Sequence, residues 1–294
     1  MSIASASRQS QAAPLVDGEF AFTTEDFRQI AALLYEQAGI TLSESKGTLV
    51  YSRLAKRLRA LGLSSFSEYC ELVASADGGN ERATMLNALT TNVTRFFREP
   101  HHFDHLRDQV LAPMIPAIKA GKRVRIWSAA CSSGQEPYSI ALTLLSLLPD
   151  AANYDVKILA SDIDSIMVAH GREGLYSEDL VEPIPTAFRE RHMRREEGQR
   201  GMWRMGDEAK ALVSFRELNL IGAWPMKGPF DAIFCRNVVI YFDEPTQERI
   251  WGRFAELLPA GAYMYIGHSE RVGPLSAHLF NSDGLTVYRR TGPK

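Results

Sequence analysis

Apolar positions in the first ninety residues recur at helical spacing. Phe27, Ile30, Ala31, Leu34 and Ala38 share one face after a Thr23-Thr24-Glu25-Asp26 start, and Gly39 ends the run. A second helix is predicted over about residues 45–61. Val50, Tyr51, Leu54, Leu58 and Leu61 form its apolar stripe, and Arg53, Lys56, Arg57 and Arg59 take the other side. Two shorter helical stretches, near 67–75 and 81–89, are separated by Asp77-Gly78-Gly79. After Pro100 one more helix carries Phe103, Leu106, Val110 and Leu111 towards Pro113 and Pro116, and there the period changes. Short apolar runs at 124–127, 156–160, 213–215, 233–235 and 263–266 read as strands, with helical stretches at 138–148, 165–172 and 245–258 among them. That alternation predicts a mostly parallel sheet with helices on both faces. Leu285–Arg289 has no helix before it and is expected to pair antiparallel at the end of the sheet. Residues 173–212 are charged and turn-rich, with 202–205 as a strand, and read as a small inserted subdomain.

The pattern divides the chain into a flexible tail (1–20), an all-helical domain (21–90), a connecting segment and helix (91–118), and an α/β domain (119–294) holding the insertion. Its 294 residues are enough for two domains, and 45% hydrophobic with 23% charged residues is an ordinary globular composition. A net charge of -2 leaves any affinity for a polyanion to a local patch. No apolar run approaches the ~20 residues of a membrane span, so no membrane insertion is expected. Cys70, Cys131 and Cys235 show no CxxC spacing, which argues against a disulfide framework or a zinc site and fits a cytoplasmic protein. His101 and His105 lie on one helix without a third ligand, so no metal is expected.

Ligands of open α/β sheets sit beyond the carboxyl ends of the strands. After the first strand comes Ser128-Ala129-Ala130-Cys131-Ser132-Ser133-Gly134-Gln135-Glu136-Pro137. Its small residues allow close approach of a ligand, yet the single glycine is not the GxGxxG of a dinucleotide site. Glu136 at a helix start favours a cationic ligand over a phosphate. Asp162 ends the second strand, where a carboxylate can accept both ribose hydroxyls, whereas Asp164 suits a helix cap. Asn219-Leu220 follows the third strand, where the amide can meet adenine or form an Asx turn. Arg236, Asn237 and Tyr241 follow the fourth. Tyr241 can either face a cation through its ring or pack at a strand end. Upstream, Asn92-Val93-Thr94-Arg95-Phe96-Phe97-Arg98-Glu99 joins the helical and α/β parts.

In that order and spacing, Asn92–Glu99, Trp127–Ser139, Ala160–Asp164, Phe230–Val238 and Gly267-His268-Ser269-Glu270 resemble the CheR family of chemotaxis receptor methyltransferases over residues ~20 to 290. The resemblance implies a class I methyltransferase fold, a mostly parallel seven-stranded sheet, with an all-α N-terminal domain and a small inserted β subdomain. It implies a pocket for S-adenosylmethionine, with S-adenosylhomocysteine as product, lined by Asn92, Thr94, Arg98, Glu136, Asp162, Asn219, Leu220, Arg236 and Asn237. Arg98 is the candidate for holding a glutamate carboxylate, because a guanidinium forks onto two oxygens, and Tyr241 is the second catalytic candidate. The basic helix, with Arg53, Lys56, Arg57 and Arg59, would face the cytoplasmic helices of methyl-accepting receptors. Some relatives dock a receptor's C-terminal peptide on a glycine-rich loop. The corresponding Arg195-Glu196-Glu197-Gly198 lacks the close pair of glycines, which argues against that partner. Nucleic acid is not an expected substrate, for no phosphate-tracking surface stands outside the basic helix. A non-catalytic receptor-binding or S-adenosylmethionine-sensing module on the same fold is the alternative.

Overall fold

The computed structural model describes residues 14–292. The chain forms two compact units that meet between Thr90 and Thr91. In the first unit, β1 (Pro14–Val16) pairs antiparallel with β2 (Phe22–Thr23). A tail reaching residue 20 is therefore corrected from Pro14 onward, and residues 1–13 lie outside those described. Thr23 then caps α1 (Thr24–Ala38) through a reciprocal capping box with Asp26, and Gly39 ends it at φ 71°.

The other helices of this unit are α2 (Gly47–Leu61), α3 (Phe66–Ala74) and α4 (Gly79–Leu89). The Asp77-Gly78-Gly79 breaker shapes a 3-10 turn and the start of α4. Phe22, Phe27, Ile30, Leu54, Leu58, Phe66 and Val73 are buried together, with the Phe22 and Phe66 ring centroids 4.3 Å apart. Each such side chain contributes about 1.5–3 kcal/mol by burial, so Phe66→Ala would cost roughly 3–5 kcal/mol.

In the second unit, α5 (Pro100–His105) runs through a π-helical turn (Leu106–Leu111) into α6 (Ala112–Lys119). The sheet that follows has β3 (Val124–Ala129), β4 (Val156–Asp162), β8 (Val213–Glu217), β9 (Ala232–Cys235), β10 (Tyr263–Ile266), β11 (Phe280–Ser282) and β12 (Val287–Arg290). Its spatial order is β11-β12-β10-β9-β3-β4-β8. The five strands from β10 to β8 are parallel, and β12 is antiparallel to both its neighbours. The last strand thus pairs antiparallel as expected but does not end the sheet. The three-residue β11, too short to show a period, takes the edge.

Strands β3 and β9 are almost wholly buried, which explains the unbroken apolar run of β9 and the single charged residue, Arg125, in β3. α7 (Gln135–Leu147) is buried on every side through Leu145, while α8 (Ser165–Glu173) and α12 (Glu244–Leu257) each bury one face. Between α8 and β8 stands a separate antiparallel sheet of β5 (Leu175–Ser177), β6 (Met193–Arg195) and β7 (Met202–Met205), in the order β5-β7-β6. The charges of 189–200 are partly spent there, with the Arg189 and Arg195 guanidinium carbons 5.1 and 4.6 Å from the Trp203 ring centroid. The strand order reverses between β3 and β9, and that switch point places the site.

Candidate functional site

The turn after β3 is strained and cross-braced. Ala130 and Ser132 hold φ of 145° and 48°, each costing on the order of 1–3 kcal/mol for a residue with a Cβ. Gly134, at φ 97°, is obligatory: a Cβ there would lie 2.8 Å from the Tyr176 hydroxyl and 2.9 Å from the Gly171 Cα. The offsetting bonds come from neighbouring segments. The Ser132 N–H donates to Asp162 Oδ2 (2.7 Å), the Ser132 hydroxyl to the Asn92 carbonyl (3.0 Å), and the Cys131 N–H to the Ser161 carbonyl (2.9 Å). Asp162 Oδ1 accepts the Asp164 N–H (3.0 Å). Burial pushes the Asp162 carboxyl above its ordinary range, and these N–H donors pull it back. Asp162 therefore shapes the loop that would meet a ligand as well as ending β4. Asp164 caps α8 by accepting from the Ile166 and Met167 N–H groups, and it takes the Asn92 side-chain amide at 2.7 Å.

Glu136 lies in the first turn of α7, buried, accepting from the Ser128 hydroxyl (2.7 Å) and from Arg236 (3.0 Å). Burial raises its carboxyl pKa, with the Arg236 charge opposing. Sequence position alone sets the Arg236 guanidinium where cofactor and substrate would meet. The structure instead buries it to 2% exposure between two carboxylates, Glu136 and Glu99 (3.2 Å). It also donates to the Arg98 carbonyl, so it clamps the 98–99 segment onto the end of β9. Glu99, at φ 57°, accepts in addition the His268 N–H (3.2 Å). Burial would raise the Glu99 carboxyl, but Arg236, the His268 N–H and His102 together hold it below its ordinary value.

Glu270 braces the site, a role that the sequence reading did not give it. Its buried carboxylate accepts the N–H groups of Gly267 (2.6 Å), Asn237, Val238 and Val239 (2.9 Å each). That cage fixes Asn237 at φ 58° beside Gly267, where a Cβ would fall 2.4 Å from the Asn237 amide nitrogen. The Gly267-His268-Ser269-Glu270 run was visible, but nothing in it shows that the glutamate reaches back to β9. Asn219 forms an Asx turn, its Oδ1 accepting the Ile221 N–H at 3.1 Å. Leu220 is buried, and Arg253 of α12 braces it by donating to the Leu220 and Gly222 carbonyls while stacked 3.6 Å from the Trp224 centroid. No local sequence signal announces a brace from thirty residues away. Tyr241 ends a 3-10 turn (Val239–Tyr241) and is half-buried.

Arg98 lines an open cleft of about 350 Å³ with Val93, Thr94, Arg95, Glu99 and His268. One Arg98 nitrogen donates to the Val93 carbonyl at 3.0 Å. Cys131 and Cys235 are buried and burial pushes both thiols up, as befits small apolar fillers. Among the described residues, Glu99, His101 and His102 come within 4.8 Å of one another, a grouping that counting His101 and His105 overlooked. The Arg236 cation at 3.2 Å from Glu99 makes this a poor seat for a metal ion.

In the first unit the basic helix is only partly free. Arg53 donates to the Ala88 and Thr90 carbonyls, and Arg57 makes a bidentate pair with Glu81, which also accepts from the buried Tyr69 hydroxyl. Lys56 and Arg59 are exposed, Arg59 paired with Glu19 at 2.7 Å. In the inserted sheet, Arg195 pairs with Glu178 and Glu196 with Arg204.

Residues 25–90 match the model "CheR methyltransferase, all-alpha domain", and residues 92–288 match "CheR methyltransferase, SAM binding domain". A probable chemotaxis protein methyltransferase of Rhizobium etli is 57% identical over 88% of this chain and 97% of its own. Chemotaxis protein methyltransferase 2 of Pseudomonas aeruginosa is 46% identical (92% and 94% covered), and the chemotaxis protein methyltransferase of Escherichia coli K12 42% (91% of each). The residues around the switch point suit an adenosine-bearing cation, with Asp162 beside a loop of small residues and Glu136 behind it. The chain belongs to the CheR methyltransferase family, and the unit that holds the switch-point site is that family's S-adenosylmethionine-binding domain.

Proposed function

We propose that the protein methylates glutamate side-chain carboxylates of chemoreceptors, forming methyl esters. S-adenosylmethionine supplies an electrophilic methyl on a sulfonium, so a carboxylate that accepts it becomes a neutral ester while the donor becomes a neutral thioether. The residues assigned to hold it are Asn92, Thr94, Arg98, Glu136, Asp162, Asn219, Leu220, Arg236 and Asn237. On this reading Asp162 and Glu136 hold the loop and helix start that meet the cofactor, Asn219 and Leu220 belong to its wall, and Arg236 acts as a clamp behind Glu136.

The observation that carries the reading is the cleft beside these segments, whose lining includes the two basic residues Arg95 and Arg98. Such a wall suits an anionic acceptor. Glutamate, with an intrinsic pKa near ~4.3, is already an anionic nucleophile at neutral pH and needs no general base. The protein's work is then orientation and exclusion of water. Arg98 orients the carboxylate, and its bond to the Val93 carbonyl occupies one of its donors and fixes the guanidinium. The relatives' names place their activity in chemotaxis, which supports a receptor as the acceptor here. The experiment is calorimetric titration with S-adenosylhomocysteine followed by transfer of labelled methyl to receptor-containing membranes. Binding with transfer to receptor is expected. Binding without transfer would mean a sensing module, and label on nucleic acid a different substrate class.

A further inference from the structure

His268 occupies the loop after β10, and its backbone is held from two sides. Its neighbour Gly267 donates to Glu270 at 2.6 Å, and its own N–H donates to Glu99 Oε1 at 3.2 Å. The ring is placed by the same carboxylate, with Nδ1 3.1 Å from Glu99 Oε1. A carboxylate accepts only, since burial loses to Arg236 and the histidine donors in keeping Glu99 ionised, so Nδ1 carries the hydrogen. Nε2 is then directed away from Glu99, on a side chain 64% exposed that lines the Arg98 cleft. This is the arrangement of an imidazole whose one nitrogen is fixed by a partner so that the other meets a ligand.

We propose that His268 is an acceptor-site residue: its Nε2 contacts the carboxylate to be methylated, opposite Arg98, and gives the site its preference for a free carboxylate over the methyl ester. This rests on the reading of the Arg98 cleft as the glutamate site. With an acceptor bound, the imidazole stands between two carboxylates, and two flanking anions favour a proton on each nitrogen. The charges facing it are accounted for on each side. Arg95 and Arg98 bring positive charge from the 93–99 segment, as does Arg271, which donates to the His268 carbonyl at 3.0 Å. Glu99 brings negative charge, with Arg236 and His102 behind Glu99, while the Glu270 oxygens are taken up by backbone N–H groups.

Methyl transfer removes the acceptor's negative charge. The ester no longer stabilises the imidazolium, so the proton gained with the substrate leaves with the product. The transfer itself neither consumes nor releases a proton. Product is thereby held less firmly than substrate, which suits an enzyme that must leave one glutamate for the next.

The experiment uses the full-length protein with receptor-containing membranes whose acceptor sites are free or already esterified. Receptor KM, kcat, inhibition by esterified receptor and S-adenosylhomocysteine Kd are measured for wild type, His268→Ala and His268→Gln. Loss of one charge-assisted bond should raise receptor KM about 5- to 20-fold in His268→Ala. The S-adenosylhomocysteine Kd should be unchanged, and esterified receptor should compete about as well as free receptor. His268→Gln should recover part of the KM, because its amide donates without needing a proton. A folded His268→Ala protein with wild-type receptor KM would overturn the assignment. So would a change confined to cofactor affinity. Alkali-labile label on receptor, counted for wild type in the same assay, separates the two levels. Label present with an unmoved KM removes His268 alone, whereas no such label removes the glutamate reading and His268 with it.

Discussion

Each unit of this molecule holds an arginine–glutamate cluster, partly buried in the first and buried in the second, and the two are built on different backbones. In the N-terminal unit Arg57 forks onto Glu81, with Tyr69 as third member, and all three stand on regular helices. In the C-terminal unit Arg236 lies between Glu99 and Glu136, and its surroundings are strained. Among the described residues, every non-glycine residue at positive φ lies in that unit: Phe97, Glu99, Ala130, Ser132, Asn237 and Thr286. The first cluster satisfies charges on packed helices. The second holds three loops in conformations that they would not otherwise keep, and strain of this kind gathers where a site must be preorganised.

The largest test of that difference removes the arginine from each. Arg236→Ala leaves two carboxylates buried without their partner and should cost about 3–5 kcal/mol in thermal unfolding, with loss of S-adenosylhomocysteine binding. Arg57 is 29% exposed and Tyr69 remains on Glu81, so Arg57→Ala should cost only about 1–2 kcal/mol. Its cofactor affinity should be unchanged. Equal costs, or equal effects on binding, would break the contrast.

Arg98→Ala should lower kcat about 100-fold with little change in melting temperature, as expected of a group that orients the reactants and carries little structure. Arg98→Lys should recover poorly because it keeps the charge and loses the fork. Activity within twofold of wild type would take the orienting role from Arg98.

Next in size is a pH effect from His102. It is fully buried and its pKa falls from 6.5 to about 3, through burial first and the charges of Arg236 and His101 next. Below pH 6.5 the unfolded chain takes up a proton that the native state does not. Stability contributed by the neutral ring is thus complete above that pH and is lost as pH falls towards 3. By pH 5 the loss is on the order of 2 kcal/mol, and His102→Gln should not show it. Parallel stability curves for the two proteins from pH 7.5 to 5 would contradict the assignment.

The smallest effect concerns the basic helix, where Lys56 and Arg59 are exposed while Arg53 and Arg57 serve the helical core. Lys56→Glu with Arg59→Glu should slow receptor methylation about 5-fold at low salt. The difference should shrink as screening shortens towards ~8 Å at physiological ionic strength. A salt-independent effect would locate receptor recognition elsewhere.

Much of the architecture was legible because it rests on local regularities. Apolar period, the Thr23 cap and the stop at Gly39 announce α1, apolar period announces α2, and buried β3, β4 and β9 announce themselves as short, mainly apolar runs. Edge strand β11 escaped because three residues carry no period, and its neighbour β12 was therefore set one place too far out. At the site, the ends of strands could be read, and that reading singled out Asp162, Glu136 and Arg236 as candidates. What each does with its hydrogen bonds could not, because the Glu270 cage, the Arg253 brace and the Arg236 clamp on residue 98 join segments 31 to 138 residues apart. The positive φ of Ala130, Ser132 and Asn237 was equally hidden, since such conformations are imposed by tertiary bonds and not by residue type.

The central claim is chemical: the methyl group ends on a side-chain carboxylate of a receptor. Labelled methyl from S-adenosylmethionine, transferred by the wild-type protein to receptor-containing membranes and then treated with mild alkali, reads that bond directly. Esters should release the label as volatile methanol from the receptor band. Label that stays on protein after alkali would mean an amine or another acceptor, and would contradict the account.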